Sequence, residues 1–181
     1  MNYMENNTYL MKALDAYPYD LEEAVEALNY ALSYEPNNGQ ALCLMGRLYL
    51  EIYRDYNSAI NYFEKALEDN LNMHALYGHY SLALLCAEEF DKADKFLDFA
   101  ISVKGSDKGL LYSLKAGVLE SKQQFAKAKK VLKKARLYTY NDGFMFHMDD
   151  MESRLDKKIK LTKKKSKSKS NNGKKAKKKK K

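Results

Sequence analysis

The side chains that could do chemistry in this 181-residue chain are few and scattered. Cys43, Cys86, His74, His79 and His147 are its whole stock of thiols and imidazoles. His74 and His79 stand five apart, so on a helix they point to different faces. Cys43 and His79 can face one surface from adjacent segments, but two groups fall short of the four ligands of a typical zinc site. Cys43 and Cys86 sit about eight residues out of phase on neighbouring helices, or ~12 Å at ~1.5 Å per residue, too far for a disulfide. There is no phosphate-binding glycine loop, nucleophile motif or paired-carboxylate signature. Glu22, Glu23 and Asp94 read as acids that solvate helix faces. The expectation is a non-enzymatic chain with no metal, no cofactor and no small-molecule substrate.

What the chain holds in quantity is charge, unevenly placed. Residues 157–181 contain 15 lysines and no acid, whereas residues 1–156 hold 17 basic against 24 acidic residues. The net charge of +8 therefore averages a body of −7 and a tail of +15. The candidate anion-binding residues are Lys163, Lys164, Lys165, Lys167, Lys169, Lys174, Lys175, Lys177, Lys178, Lys179, Lys180 and Lys181. Serines, two asparagines and Gly173 break the run, and Ala176 is its one apolar residue, so residues 161–181 are expected to be disordered. Without arginine or aromatics this segment cannot stack on bases or grip them bidentately, and it binds by charge. RNA, DNA and an anionic membrane all qualify, as does a loose fold over its own acidic body. In a eukaryote such clusters could also act as a nuclear address.

The elements that must position any site follow from two alanine rows. Ala24, Ala59, Ala93 and Ala128 are spaced 35, 34 and 35 residues apart, and Ala31, Ala66, Ala100 and Ala135 follow seven behind. A fixed period in this range signals a repeat architecture. From Ala41 to Leu71, Leu42, Met45 and Tyr49 fall at helical spacing, a break follows near 54–57, and Ala59, Phe63 and Ala66 mark a second helix. Each helix thus has one buried stripe, with small residues where the two cross closely.

These residues resemble the tetratricopeptide repeat (TPR), whose pattern is W-x2-L-G-x2-Y, A-x3-F-x2-A, then P over ~34 residues. The second repeat reads Leu42-x2-Met45-Gly46-x2-Tyr49 and Ala59-x3-Phe63-x2-Ala66, with one extra residue in the turn. The first gives Leu10-Met11-x2-Leu14, Ala24-x3-Leu28-x2-Ala31 and Pro36. The third gives Tyr77-x2-Tyr80-Ser81-x2-Leu84 and Ala93-x3-Leu97-x2-Ala100. The fourth gives Tyr112-x2-Lys115-Ala116-x2-Leu119 and Ala128-x3-Leu132-x2-Ala135. The family's tryptophan is absent, and Lys115, where leucine is usual, predicts loose packing of the fourth repeat. The resemblance implies an all-α solenoid of about four helical hairpins over residues 1–142, divided at about 4–38, 39–73, 74–108 and 109–142. A capping helix over 143–160 is expected to bury Phe144, Met148, Met151, Leu155 and Ile159 and turn Asp149, Asp150, Glu152 and Arg154 outward. Asp20 with Glu23 predicts a capping box, and Asn72 and Ser106 are predicted N-caps.

The resemblance also places the first helix of each repeat along a concave groove. Tyr9 and Lys12 would line it with Thr8 from the first repeat, and Cys43, Leu44, Arg47 and Leu50 from the second. His79 and Leu82 would join Gly78 and Leu85 from the third, and Leu110 and Leu114 would join Ser113 and Gly117 from the fourth. Asp15, Glu51 and Glu120 would edge it. Such a lining suits an amphipathic helix or extended peptide of a protein partner, or the same face of a second copy in a homodimer. Some family members clamp a C-terminal carboxylate; only Lys12 and Arg47 could do so here, and no asparagine supports them. Tyr49, Tyr77, Tyr80 and Tyr112 fall on packing positions. No apolar run reaches the ~18 residues of a spanning helix, no signal peptide or lipidation box is evident, and two cysteines make no disulfide framework. A cytoplasmic setting is expected.

Overall fold

The computed structural model describes residues 3–178, with side chains described for residues 8–68 and 70–163. The described residues are helical throughout, and the helices run in antiparallel pairs. The first three pairs are α1 (Tyr3–Ala16) with α2 (Leu21–Tyr34), α3 (Gly39–Leu48) with α4 (Tyr56–Asp69), and α5 (His74–Cys86) with α6 (Phe90–Ser102). They form an N-terminal unit, Met1–Ser106. Within it α2 packs on α3 and α4 on α5, so each hairpin stacks on the next. The fourth pair, α7 (Lys108–Ser121) and α8 (Phe125–Arg136), joins α9 (Asp142–Lys178) in a C-terminal unit, Asp107–Lys181.

The alanine rows lie where these pairs meet. All eight alanines are buried, between Leu28, Phe63, Leu97 and Leu132, which are buried as well. A methyl group is the largest side chain that lets two helix backbones approach this closely, which is why the period survives while other positions vary. Gly46 shows the same constraint more tightly: a Cβ there would stand 2.6 Å from Phe63 Cε1. The first helix departs from its expected stripe. Leu10, Ala13 and Ala16 are buried, whereas Met11 and Leu14 are exposed, so α1 is rotated from the register that the repeat pattern implies. Packing of Leu10 and Ala13 against Ala27, Leu28 and Ala31 decides that rotation.

Among the described residues the Ser81 hydroxyl stands out in the core. Ser81 is fully buried, and its hydroxyl has no hydrogen-bond partner among the described residues. It occupies the register held by Ala116 in the fourth repeat. An unmade buried hydrogen bond costs ~1–3 kcal/mol, so Ser81→Ala should stabilise the unit by about 1 kcal/mol in chemical denaturation. A loss of stability would show that the hydroxyl is satisfied in solution.

The turns explain the extra residue of the second repeat. Glu88 and Gln123 adopt left-handed φ values of 60° and 57°, and the following amides close back on the helix, Glu89 N–H to Leu84 O and Gln124 N–H to Leu119 O. This is the Schellman C-cap. In the second repeat Arg54 takes the left-handed position, at φ 55°. Its insertion is absorbed before the turn, in a π-helical turn over Tyr49–Tyr53, and Asp55 N–H reaches back six residues to Tyr49 O. The loop therefore keeps its geometry and the helix widens instead.

The caps differ partly from expectation. Asp20 accepts from Glu23 N–H at 3.0 Å, but the Glu23 carboxylate pairs with Lys12 at 3.1 Å and so does not close the box. The N-caps of α5 and α7 are Met73 and Asp107, not Asn72 and Ser106. Asp107 accepts from Leu110 N–H, while Ser106 donates backward to Val103 O and is buried. Each expected cap misses by one residue because the cap is set by where the helix begins to pack.

In the C-terminal unit the loose packing expected around Lys115 is not found. Ala116, Leu119, Ala128, Leu132 and Ala135 form one buried cluster with Met148, Met151 and Leu155 of α9. Phe144 packs against that cluster and Ile159 is half-buried, as the apolar stripe predicts. The polar side of α9 is used differently. Glu152 and Asp149 pair with Arg136, Glu152 and Asp156 with Lys129, and Arg154 with Glu120, so these residues fasten α9 instead of facing only solvent. Helical backbone continues through Lys178, past the expected end of the capping helix at 160 and over residues expected to be disordered. Lysine is a good helix former and no proline intervenes. The side chains of the tail lysines from Lys164 onward, and Lys179, Lys180 and Lys181 altogether, lie outside the described residues.

Candidate protein-binding face

The first helices of the N-terminal unit converge on Glu51. The i,i+4 spacing of Arg47 and Glu51 brings Arg47 Nε to 3.2 Å from Glu51 Oε1. Tyr17, just past α1, donates its hydroxyl to Glu51 Oε2 at 2.5 Å, and the Arg47 guanidinium lies 4.8 Å from the centre of the Tyr17 ring. From α5, His79 Nδ1 lies 3.4 Å from Glu51 Oε1. Cys43, one turn before Arg47, borders the same group, half-buried like Arg47 and His79. One carboxylate thus links three successive hairpins.

The electrostatics of this cluster follow from burial and from the Glu51 carboxylate. Burial raises the Cys43 thiol to about 11, against the opposing pull of Arg47. Burial and the Glu51 hydrogen bond raise Tyr17 to about 12. Burial lowers His79, with Arg47 acting in the same direction and Glu51 opposing. Burial pushes Glu51 up, but hydrogen bonds from Tyr17 and Arg47 outweigh it and hold the carboxyl below its ordinary range. At neutral pH the group is therefore Arg⁺–Glu⁻ framed by a neutral thiol, phenol and imidazole. The thiol and the phenol are therefore not poised as nucleophile or base at neutral pH. Among the described residues no three His, Cys, Asp or Glu side chains gather as metal ligands, and both cysteines are free thiols.

The other predicted face residues divide by burial. Leu82 is exposed on α5, and Leu110 on α7. Leu85, Gly78, Leu114 and Gly117 are half-buried. Lys12 is exposed and tied to Glu23, while Tyr9 stacks between Tyr30 and Tyr34 at 5.2 and 5.9 Å. Leu44, Leu50 and Ser113 are buried and unavailable to a partner. Leu44 lies in the core with Leu48 and Met45 because α3 has apolar residues on nearly every side and is packed on both flanks. Glu120, expected at the groove edge, is 8% exposed and covered by Arg154 and Lys158 of α9, at 2.9 and 2.7 Å. Tyr17 was not expected at the site. The only sequence signal for it was the Arg47-x3-Glu51 pair, which needs a further polar partner if its carboxylate is to be partly buried.

Charge also divides differently from the body-and-tail reading. The N-terminal unit holds 17 acidic against 7 basic residues and the C-terminal unit 7 against 25, a formal −10 and +18. The excess of acid is thus confined to the first unit, and the second is basic before its tail begins.

Comparison with protein families and with curated proteins finds no match to this chain. Among solved structures, it is similar to "MamA 41-end from Desulfovibrio magneticus RS-1", with TM-score 0.68 and 18% identity over 91% of this chain and 96% of that one. It is equally similar to "MamA RS-1 ArsTM double mutant", with TM-score 0.68 and 17% identity over the same shares. Among the described residues no helix is long and apolar enough to cross a membrane. The chain has the all-helical, TPR-like fold of the MamA structures.

Proposed function

We propose that this chain is a non-enzymatic scaffold of the TPR type, which captures an apolar segment of a protein partner on its first-helix faces. The observation that carries the reading is exposed Leu82 on the same helix as His79, beside a rigid Arg47–Glu51 pair. An exposed leucine supplies an anchor point, and a prepaid polar network orients a partner without the entropy cost of ordering loose side chains. Cys43, Arg47, His79 and Leu82 are the contact residues in the first unit, with Tyr9 and Lys12 beyond them; Leu110 and Leu114 serve the second. The lysine-rich end adds electrostatic attraction to an anionic partner.

Leu82→Arg should abolish capture of partners that the unmodified chain retains at high salt, with the helical circular dichroism unchanged because Leu82 is exposed. Affinity capture with both full-length chains, followed by mass spectrometry, reads this out. Identical partner sets would remove the α5 face from the reading.

A further inference from the structure

Ion pairs and one cap hold five of the seven acids of the C-terminal unit, leaving Asp142 and Asp150 exposed on α9, and leave most of its described lysines exposed. Glu120, Asp149, Glu152 and Asp156 are each held by Arg154, Lys158, Arg136 or Lys129, and Asp107 caps α7. On α8, Lys129 and Arg136 turn toward α9 for these pairs. Lys127, Lys130, Lys133 and Lys134 are exposed. At ~100° per residue they occupy one arc of about 120°, opposite buried Ala128, Leu132 and Ala135. Leu137, the C-cap residue, continues the same arc and is 78% exposed.

Leu137 opens a corner rich in bare apolar surface. Tyr140 is 98% exposed and Phe146, in the first turns of α9, 69%. Hydrogen bonds and a ring stack hold the chain on either side of it. Thr139 Oγ1 donates to Ala135 O at 3.0 Å, Tyr138 stacks on Tyr112 at 5.8 Å, and Asn141 accepts from Phe144 N–H at 3.1 Å. A leucine, a tyrosine and a phenylalanine held in water in the same unit as four exposed lysines supply the two components of an interfacial anchor. Tyr140 and Phe146 can stack on bases, but Leu137 gains nothing on a nucleic acid, whereas all three side chains transfer favourably into the headgroup boundary.

We propose that the C-terminal unit docks in the plane of an anionic lipid bilayer. The α8 lysines lie on the headgroups, with Leu137, Tyr140 and Phe146 inserted among them, and the positive charge of the lysine-rich tail adds to the attraction. This names the anionic partner of the preceding reading and is independent of protein capture by α5. The N-terminal unit, at −10, is repelled by the same surface, so binding belongs to the second unit.

Co-sedimentation of the full chain with mixed phosphatidylserine–phosphatidylcholine vesicles, against phosphatidylcholine alone, tests it. Binding should require the anionic lipid and weaken with salt. Lys130→Gln with Lys133→Gln should lower the partition constant about fivefold per lysine. Leu137→Ser, Tyr140→Ser and Phe146→Ser together should lower it at least about tenfold, and Leu137→Ser alone about threefold should the triple variant lose helicity. Leu82→Arg should leave vesicle binding unchanged, which separates this outcome from the fate of the protein-capture reading. Equal binding to both vesicle types, no loss in either serine variant, or tighter binding to an oligouridine probe than to the mixed vesicles would overturn the proposal.

Discussion

Gly46→Ala is expected to destabilise the N-terminal unit by about 1–3 kcal/mol, and Phe63→Ala by about 3–5 kcal/mol. The two costs have one cause. The Phe63 ring occupies the space beside Gly46 where a Cβ would stand 2.6 Å from Cε1 and 2.7 Å from Cδ1. Both residues are buried, so the ring has little room to retreat. The same register holds Ser81 with Leu97 in the third repeat, and Ala116 with Leu132 in the fourth. A larger small residue is thus matched by a smaller large one. Phe63→Leu should therefore rescue Gly46→Ala, with a favourable coupling of at least about 1 kcal/mol in a double-mutant cycle. Hydrogen exchange on α3 and α4 amides is the suitable measure, because two units need not unfold together. Strictly additive costs would mean that the ring moves aside freely.

Glu120→Gln is expected to cost the C-terminal unit about 2–3 kcal/mol at neutral pH, because charge-assisted hydrogen bonds from Arg154 and Lys158 are lost or weakened at a nearly buried site. The upper end of the range for buried ion pairs does not apply, since Arg154 and Lys158 are themselves half in water. The pH dependence separates this from a packing effect. Burial pushes the Glu120 carboxyl up, but the hydrogen bonds and charges of Arg154 and Lys158 outweigh it and hold it below the ordinary value. A carboxyl lowered in the folded state stabilises fully above its unfolded value of ~4.3, and that contribution is lost as pH falls through the lower folded value. The unmodified chain should thus lose protection of α9 amides on acidification, while Glu120→Gln, already without the charge, should change less. Parallel pH profiles for the two chains would assign Glu120 no electrostatic role in docking α9.

Much of this molecule is legible in its spacing. The alanine rows, with Leu28, Phe63, Leu97 and Leu132 four residues into each, locate the helix crossings, because burial on a helix follows from periodicity alone. The stripe of Met148, Met151 and Leu155 likewise identifies a helix that packs. The cluster around Glu51 was legible only in part. Arg47, Cys43 and His79 do meet around one carboxylate, but Leu44 and Leu50 go into the core. α3 is apolar almost all round, so its sequence does not say which side faces a partner. The extra residue of the second repeat could be counted but not placed, since a loop or a π-turn absorbs it equally well in sequence terms.

By itself, then, the sequence determined the number of hairpins, their crossing points and the concentration of lysine toward one end. These depend on residues within a few turns of one another, where helix geometry fixes which side chains share a face. Only the tertiary structure decided that Tyr17, Arg47 and His79 share Glu51, and that Asp149, Glu152 and Asp156 of α9 turn onto α8. It alone left Lys127, Lys130, Lys133 and Lys134 beside an exposed Leu137. Charged side chains reach several ångströms in many directions, so their partners are chosen by which helices pack together and not by their own spacing.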